Sequence, residues 1–296
     1  MNDIILNIKT INDALEDFEY LFTIWDQVKD IDLLGSNIVF DFSDCRFLKQ
    51  NAVAFLGGLI RYAQSKNAIV KLRSGTLDKK VHENLKKNGF LNALGVESEH
   101  IEAGNAIPFR QDKTTNTANI LDYLGMMWLG KGWVNVSDEL KNAIVGKVWE
   151  IYANAFEHSK SHIGVFSCGQ HFPNQRELKL TVIDFGIGIP NNVKNYRNDY
   201  KINDHNCLEW AFLAGTSTNR QGKGRGLGLD LLKEFVKINK GGLEVYSNSA
   251  YGVINNDKEK FSDQHFSFSG TIINITLKCD ESIYKLSSEI DEEILF

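Results

Sequence analysis

"VWEIYANAFEH", residues 148–158, decides how the second half of this 296-residue chain is read. Glu150, Asn154 and Glu157 stand four and three residues apart. At about 100° per residue they fall on one face of a helix. Ile144, Val145, Val148, Ile151, Tyr152, Ala155 and Phe156 take the other side and are expected to face a core. Ala143, Gly146 and Ala153 flank the polar stripe, so its neighbours are small and something can lie against it. Taken alone, Glu150 also fits an ordinary solvated pair with Lys147, three residues before it. Ser137 is a plausible N-cap, with Asp138 and Glu139 in the first turn, so the helix is expected over about 138–159.

Three further stretches follow in order. "VIDFGIGIP", 182–190, ends a buried strand on Asp184 and continues through Gly186 and Gly188. A carboxylate there can accept from an exocyclic amine, and the glycines let a flat ring approach the backbone; the plain alternative is a strand end with a turn. "GKGRGLGLDLL", 222–232, places glycine at every second position from Gly222 to Gly228, with Lys223 and Arg225 between them. Glycines before a helix let backbone N–H groups approach a phosphate, and the helix N-terminus favours the anion. The last stretch, "FSGTIINITL", opens a strand on Gly270 and Thr271. A dinucleotide fingerprint is excluded because "GTSTNRQ", not a strand, precedes the glycines, and GxxxxGK[ST] is absent.

The remaining elements give the organisation. "IVFDF" (38–42), a helix over about 50–66 and "AIVKLR" (68–73) form a βαβ rhythm that favours parallel pairing. "VHENLKKNGFLNALG" reads as a helix stopping near Gly89. Residues 100–117 turn polar, with Pro108 and "QDKTTNT", and are taken as the boundary between two domains. The second domain is expected to hold a helical stretch at 118–130 and strands at about 162–168, 178–184, 243–247 and 271–277. Residues 190–221 read as irregular apart from "CLEWAFLAG", and a helix is expected at 227–239.

Composition bounds the function. Hydrophobic residues make up 43% and charged residues 24%, so a globular core is expected. The net charge of −5 and the lack of a basic block argue against sequence-independent nucleic-acid binding. Four scattered cysteines without a CxxC pair read as reduced thiols of a cytoplasmic protein. "MNDIILNIKT" is not a secretory signal, and no run approaches the ~20 apolar residues of a membrane span. His158 and His162 have metal-ligand spacing but no third ligand beside them.

Together the four boxes resemble the GHKL superfamily, the histidine-kinase-like ATP-binding fold, over residues 118–279. The resemblance implies a Bergerat-type α/β sandwich, a mixed sheet covered by helices on one face. It implies ATP and Mg²⁺ as ligands. Asn154 would hold the Mg²⁺, Asp184 would accept from the adenine amine, and Gly188 would lie beneath the ring, with Gly186 in the same loop. Lys223, Gly224, Arg225, Gly226, Leu227 and Gly228 would wrap the triphosphate, residues 191–221 would form the lid, and Thr271 completes the set of ATP contacts. Glu150 stands where hydrolytic and anti-sigma-type members carry a general base. Hydrolysis, transfer to a serine or threonine of a partner protein, and ATP binding without turnover all remain open.

The first half, most clearly residues 30–98, resembles a STAS domain, so the chain is divided into a STAS-like α/β docking or regulatory domain (1–105), a linker (106–117), the ATP-binding domain (118–279) and an acidic tail (280–296). Where STAS antagonists carry a phosphorylatable serine, this chain has Lys49, Gln50 and Asn51, which offer no hydroxyl. The implied partners are ATP and either a regulatory protein or a second copy, reached through the first domain.

Overall fold

The computed structural model describes residues 3–96, 103–213 and 230–289. Two sheets organise it. Strands β1 (Asp3–Asn7), β2 (Asn37–Asp41) and β3 (Ile69–Leu72) pair in parallel in that order. Helices α1 (Leu15–Asp26) and α2 (Gln50–Ser65) make the two crossovers. Then come α3 (Lys79–Lys87) and the short α4 (Phe90–Ala93), separated by Gly89 at φ +74°.

The second sheet has the order β4-β5-β6-β8-β7, formed by Ala106–Asp112, Val165–Phe172, Glu177–Asp184, Glu259–Lys278 and Gly242–Asn255 respectively. Every neighbouring pair in it is antiparallel, where a mixed sheet was expected. Hairpin-like connections join β5 to β6 and β7 to β8, and those need no crossover. Residues 106–112 are a strand rather than linker. Pro108 hid it, yet β4 is an edge strand with a register shift between Ile107 and Arg110, where a missing N–H is tolerated.

Between β4 and β5 in the chain come α5 (Thr117–Asp122), a π-helical turn over Tyr123–Trp128, and the long α6 (Asp138–His158), whose N-cap Ser137 accepts from Leu140 N–H. Of residues 190–221, expected to be irregular apart from "CLEWAFLAG", the described part holds α7 (Ile189–Arg197) and α8 (Asp204–Ala211), the second overlapping that apolar patch. Both are polar surface helices that bury few apolar side chains, chiefly Val193, Cys207, Leu208 and Ala211, so their periodicity is faint. Helix α9 (Asp230–Ile238) completes the set.

The five-stranded sheet is covered on both faces, not one. On one face Ile144, Val148, Ile151 and Tyr152 of α6, with Leu232 and Phe235 of α9, pack against Leu180, Val182, Ile273 and Ile275. On the other face α1 and α2 pack against Phe166, Ile183, Tyr246, Phe268 and Ile272, so the two halves share one core. Helix α2 is buried at 13 of its 16 positions, because it is pressed between β1–β3 on one side and the larger sheet on the other. Lys49, Gln50 and Asn51 are all buried at its start.

The joint between the halves changes from apolar to ionic along the strands. At its far end Asp13 binds both Lys49 (2.8 Å) and Lys179 (2.6 Å), and Glu177 binds Lys179 (3.0 Å) and Lys278 (2.6 Å). Burial works against the charged form of Asp13, but Lys179 and Lys49 outweigh it and hold its carboxyl below the usual range. Asp13→Asn should therefore cost about 2 kcal/mol at neutral pH, the buried Lys49 being left without its carboxylate while Lys179 keeps Glu177. Because the folded-state pKa is the lower one, chemical melts should show that cost above pH 4 and its disappearance as the pH falls through the Asp13 titration.

Candidate functional site

The site gathers where the C-terminal end of β6 meets α6 and β8. Val182 and Ile183 are buried on opposite faces of the sheet, which carries the chain to Asp184 at the strand tip, itself 5% exposed. Burial pushes the Asp184 carboxyl up to about 7, against the opposing hydrogen bonds from Gly186 N–H and from Thr271. Gly186 N–H donates at 2.9 Å. Thr271 lies directly across the ladder from Asp184. A carboxyl buried at a strand tip and raised by desolvation is a candidate functional group.

Gly188 has φ +82°, and a Cβ there would stand 2.4 Å from Asn248 Oδ1. Asn248 Oδ1 is itself buried and has no hydrogen-bond partner among the described residues, although Nδ2 of the same amide donates to Ile187 O (3.2 Å). Ser247 ties the floor together: its hydroxyl accepts from Ile189 N–H (2.8 Å), lies 3.0 Å from the Thr271 hydroxyl and donates to Gly270 O (3.0 Å). Gly270 lets the strands close, since a Cβ there would meet Asp184 O at 1.9 Å. A buried acceptor beside an unpartnered amide oxygen, with glycine where a side chain would intrude, is a cradle for a flat, polar-edged ring.

Glu150 and Asn154 project from the polar stripe of α6, both half-buried. Glu150 Oε1 accepts from Lys147 Nζ at 2.9 Å, the ordinary pair that the sequence also allowed. Asn154 makes no side-chain hydrogen bond among the described residues, which leaves its amide oxygen available to a hard cation. Glu157 points outward. His158 contributes its carbonyl, which accepts from Asn192 Nδ2 (2.8 Å), and so ties α6 to α7. His162 meets Ser65 Oγ (3.2 Å) on α2 instead of sharing a ligand set with His158. Among the described residues no group of three or more His, Cys, Asp or Glu could hold a metal ion.

Asp184, Gly186, Gly188 and Thr271 thus come together at one strand end. Lys223, Gly224, Arg225, Gly226, Leu227 and Gly228 lie outside the described residues, as do 214–221 of the expected lid. Sequence reasoning missed Ser247 and Asn248. Their only local signal is Asn248 at φ +52°, a conformation that asparagine tolerates but a sequence does not announce.

Residues 141–281 match the family model described as "Histidine kinase-, DNA gyrase B-, and HSP90-like ATPase". That match, the antiparallel sheet and its helices support the GHKL reading of this part of the chain. No curated protein matches the chain. Among the described residues no helix is long and apolar enough to cross a membrane.

Proposed function

We propose that this protein binds Mg-ATP through Asp184, Asn154 and the glycine loop at 222–228, and uses its hydrolysis as a regulatory switch. The observation that carries the reading is Asp184. It is a buried carboxyl at a strand tip, held by Gly186 and Thr271, in the same strand-end cluster as Gly188 and an Asn248 Oδ1 without a partner among the described residues. Such a carboxylate accepts from the exocyclic amine of adenine, and Gly188 lets Asn248 and Ser247 close against the backbone beside it.

The residues on α6 fit the metal and the chemistry. Asn154 offers a free amide oxygen, and one protein oxygen plus phosphates and waters is an ordinary Mg²⁺ set. When bound, Mg²⁺ supplies charge neutralisation on the phosphates. Glu150 lies one helical turn before Asn154, on the same face. Once released from Lys147 it can accept a proton from a water or hydroxyl placed for in-line attack. Lys147, so freed, is a cation on the same surface. The first half is read as the STAS-type module through which a regulatory protein or a second copy acts. Its α1 and α2 are already packed against the ATP-binding half, so outward contacts fall to the other face of β1–β3, where Ile5 (44%) and Ile69 (46%) are exposed.

The test follows the label of γ-³²P-ATP given to purified protein with Mg²⁺, with and without extract of its own cells. Release as free phosphate, lost in Glu150→Ala while ATP still binds, is the expected result, with turnover down by about 100-fold or more. Label on a protein band would make the activity a protein kinase. Binding without either would leave an ATP-gated module, and no binding at all would overturn the site. Full turnover in Glu150→Ala would remove the general-base role.

A further inference from the structure

Asp184 is held from the opposite half of the molecule as well as by its own strand neighbours. Phe185, the residue between Asp184 and Gly186, turns away from the site and is 6% exposed in the shared core. There Trp25 of α1 meets it edge-on, with ring centroids 5.3 Å apart at 67°. The same indole meets Phe268 at 5.9 Å and 70°. Its Nε1–H donates to Ser269 Oγ at 3.1 Å. Ser269 and Phe268 immediately precede Gly270 and Thr271, which close on Asp184 across the β6–β8 ladder.

One side chain from the first half therefore grips both segments that position the acceptor carboxyl. It touches the β6 tip through Phe185 and the β8 approach through Phe268 and Ser269. Trp25 is itself fixed, at 3% exposure, by Tyr62 of α2 at 4.6 Å and 68°. The indole N–H adds a directional tie to the Ser269 hydroxyl, where the ring contacts alone would hold the two segments without fixing an orientation.

We infer that Trp25 is a positioning residue for the nucleotide site: through Phe185 and Ser269 it sets the spacing between Asp184 and Thr271, so that recognition of the adenine amine depends on how the first half is docked. The inference rests on the ATP-binding reading above. It gives the docking of α1 a definite output, the discrimination of the base, and a partner that shifts α1 would act on nucleotide affinity through this contact.

The experiment compares ATP with purine riboside 5′-triphosphate, which has the same ring, sugar and phosphates but lacks the exocyclic amine. Binding of each to the full chain is measured by calorimetry for the parent, Trp25→Phe, Ser269→Ala and the double variant. The parent should prefer ATP, and each single variant should lose about fivefold of that preference, the size of one hydrogen bond. The double variant should lose no more than either single one, because both remove the same bond. Ser269→Ala keeps the core intact and decides the matter if Trp25→Phe folds poorly. Equal weakening towards both nucleotides, or no change in preference, would overturn the inference and leave Trp25 with a packing role alone. A parent that binds neither nucleotide would overturn the ATP reading itself, a different and recognisable result.

Discussion

Asp184→Asn is expected to abolish ATP binding while making the unliganded protein harder to unfold. Binding should fall by about 100-fold or more, since the amide presents a donor where the adenine amine needs an acceptor, and a buried mismatch of that kind is rejected strongly. Stability runs the other way for a reason of sign. The Asp184 carboxyl is raised to about 7 by burial, from an ordinary value of 3.8. Between those two values the folded protein holds a proton that the unfolded chain has released, so stability falls as pH rises across that window. A shift of about three units corresponds to about 4 kcal/mol of penalty, fully present above pH 7. The asparagine variant carries no such penalty, and its Oδ1 can keep the bond from Gly186 N–H. Urea melts should find it more stable than the parent by about 2–4 kcal/mol at pH 8, with the gap narrowing towards pH 5. In the parent, ATP affinity should rise with pH through 7 as the carboxylate forms. A gap that does not change with pH would show that Asp184 does not titrate there, and parental ATP affinity in the variant would remove it from base recognition.

The parts of this molecule that were legible in sequence share one property: the signal and its cause lie close together along the chain. Helix α6 announced itself through Ser137, the first-turn acids and a seven-residue apolar face, and Asp184 through an apolar strand ending in Gly-x-Gly. The βαβ rhythm of 38–73 gave parallel pairing because a crossover helix leaves no other choice. What escaped has its cause elsewhere. Strand β4 is a strand because β5 offers it an edge, and Pro108 is harmless only on an edge. The expected strands stop at 247 and resume at 271, because the exposed positions between them, as in "FSDQHF", are polar, yet β7 and β8 pair from Asn248 to Ile254 against 259–268. Helix α1 carries Phe18, Leu21, Phe22 and Trp25 at helical spacing, but no local pattern states that this face meets Tyr246 and Phe268 more than 200 residues away. The second covered face of the sheet was invisible for the same reason. The double glycine in α2 was the one clue to it: in a helix interior glycine costs about 1 kcal/mol against alanine, so two in a row imply close approach.

That close approach makes Gly58→Leu the most disruptive change expected at the joint between the halves. A Cβ at Gly58 would stand 1.9 Å from Phe185 Cε2 and 2.6 Å from Cζ. The ring cannot turn aside, because Trp25, Phe55, Phe166 and Phe268 surround it with centroids 5.2–5.9 Å away. Overpacking a filled core costs about 1–3 kcal/mol for a small excess, and a leucine exceeds that, so a loss above about 3 kcal/mol is expected. Gly57 provides the contrast. Its Cβ would meet Phe109 of β4 at 2.4 Å, a comparable clash but at the edge of the sheet far from Asp184 along the strand order. Both variants should melt earlier, yet only Gly58→Leu should weaken ATP binding in the protein that remains folded, since only there does the displaced ring adjoin the acceptor carboxyl. Phe185→Ala alone should cost about 3–5 kcal/mol through the cavity it leaves. Combined with Gly58→Leu it provides the missing room, and the pair should be less destabilised than the sum of the two by more than about 1 kcal/mol. Strict additivity would mean that the backbone, not the ring, yields at Gly58. Equal loss of ATP affinity in the Gly57 and Gly58 variants would mean that the docked half acts on the site as a whole, not through Phe185.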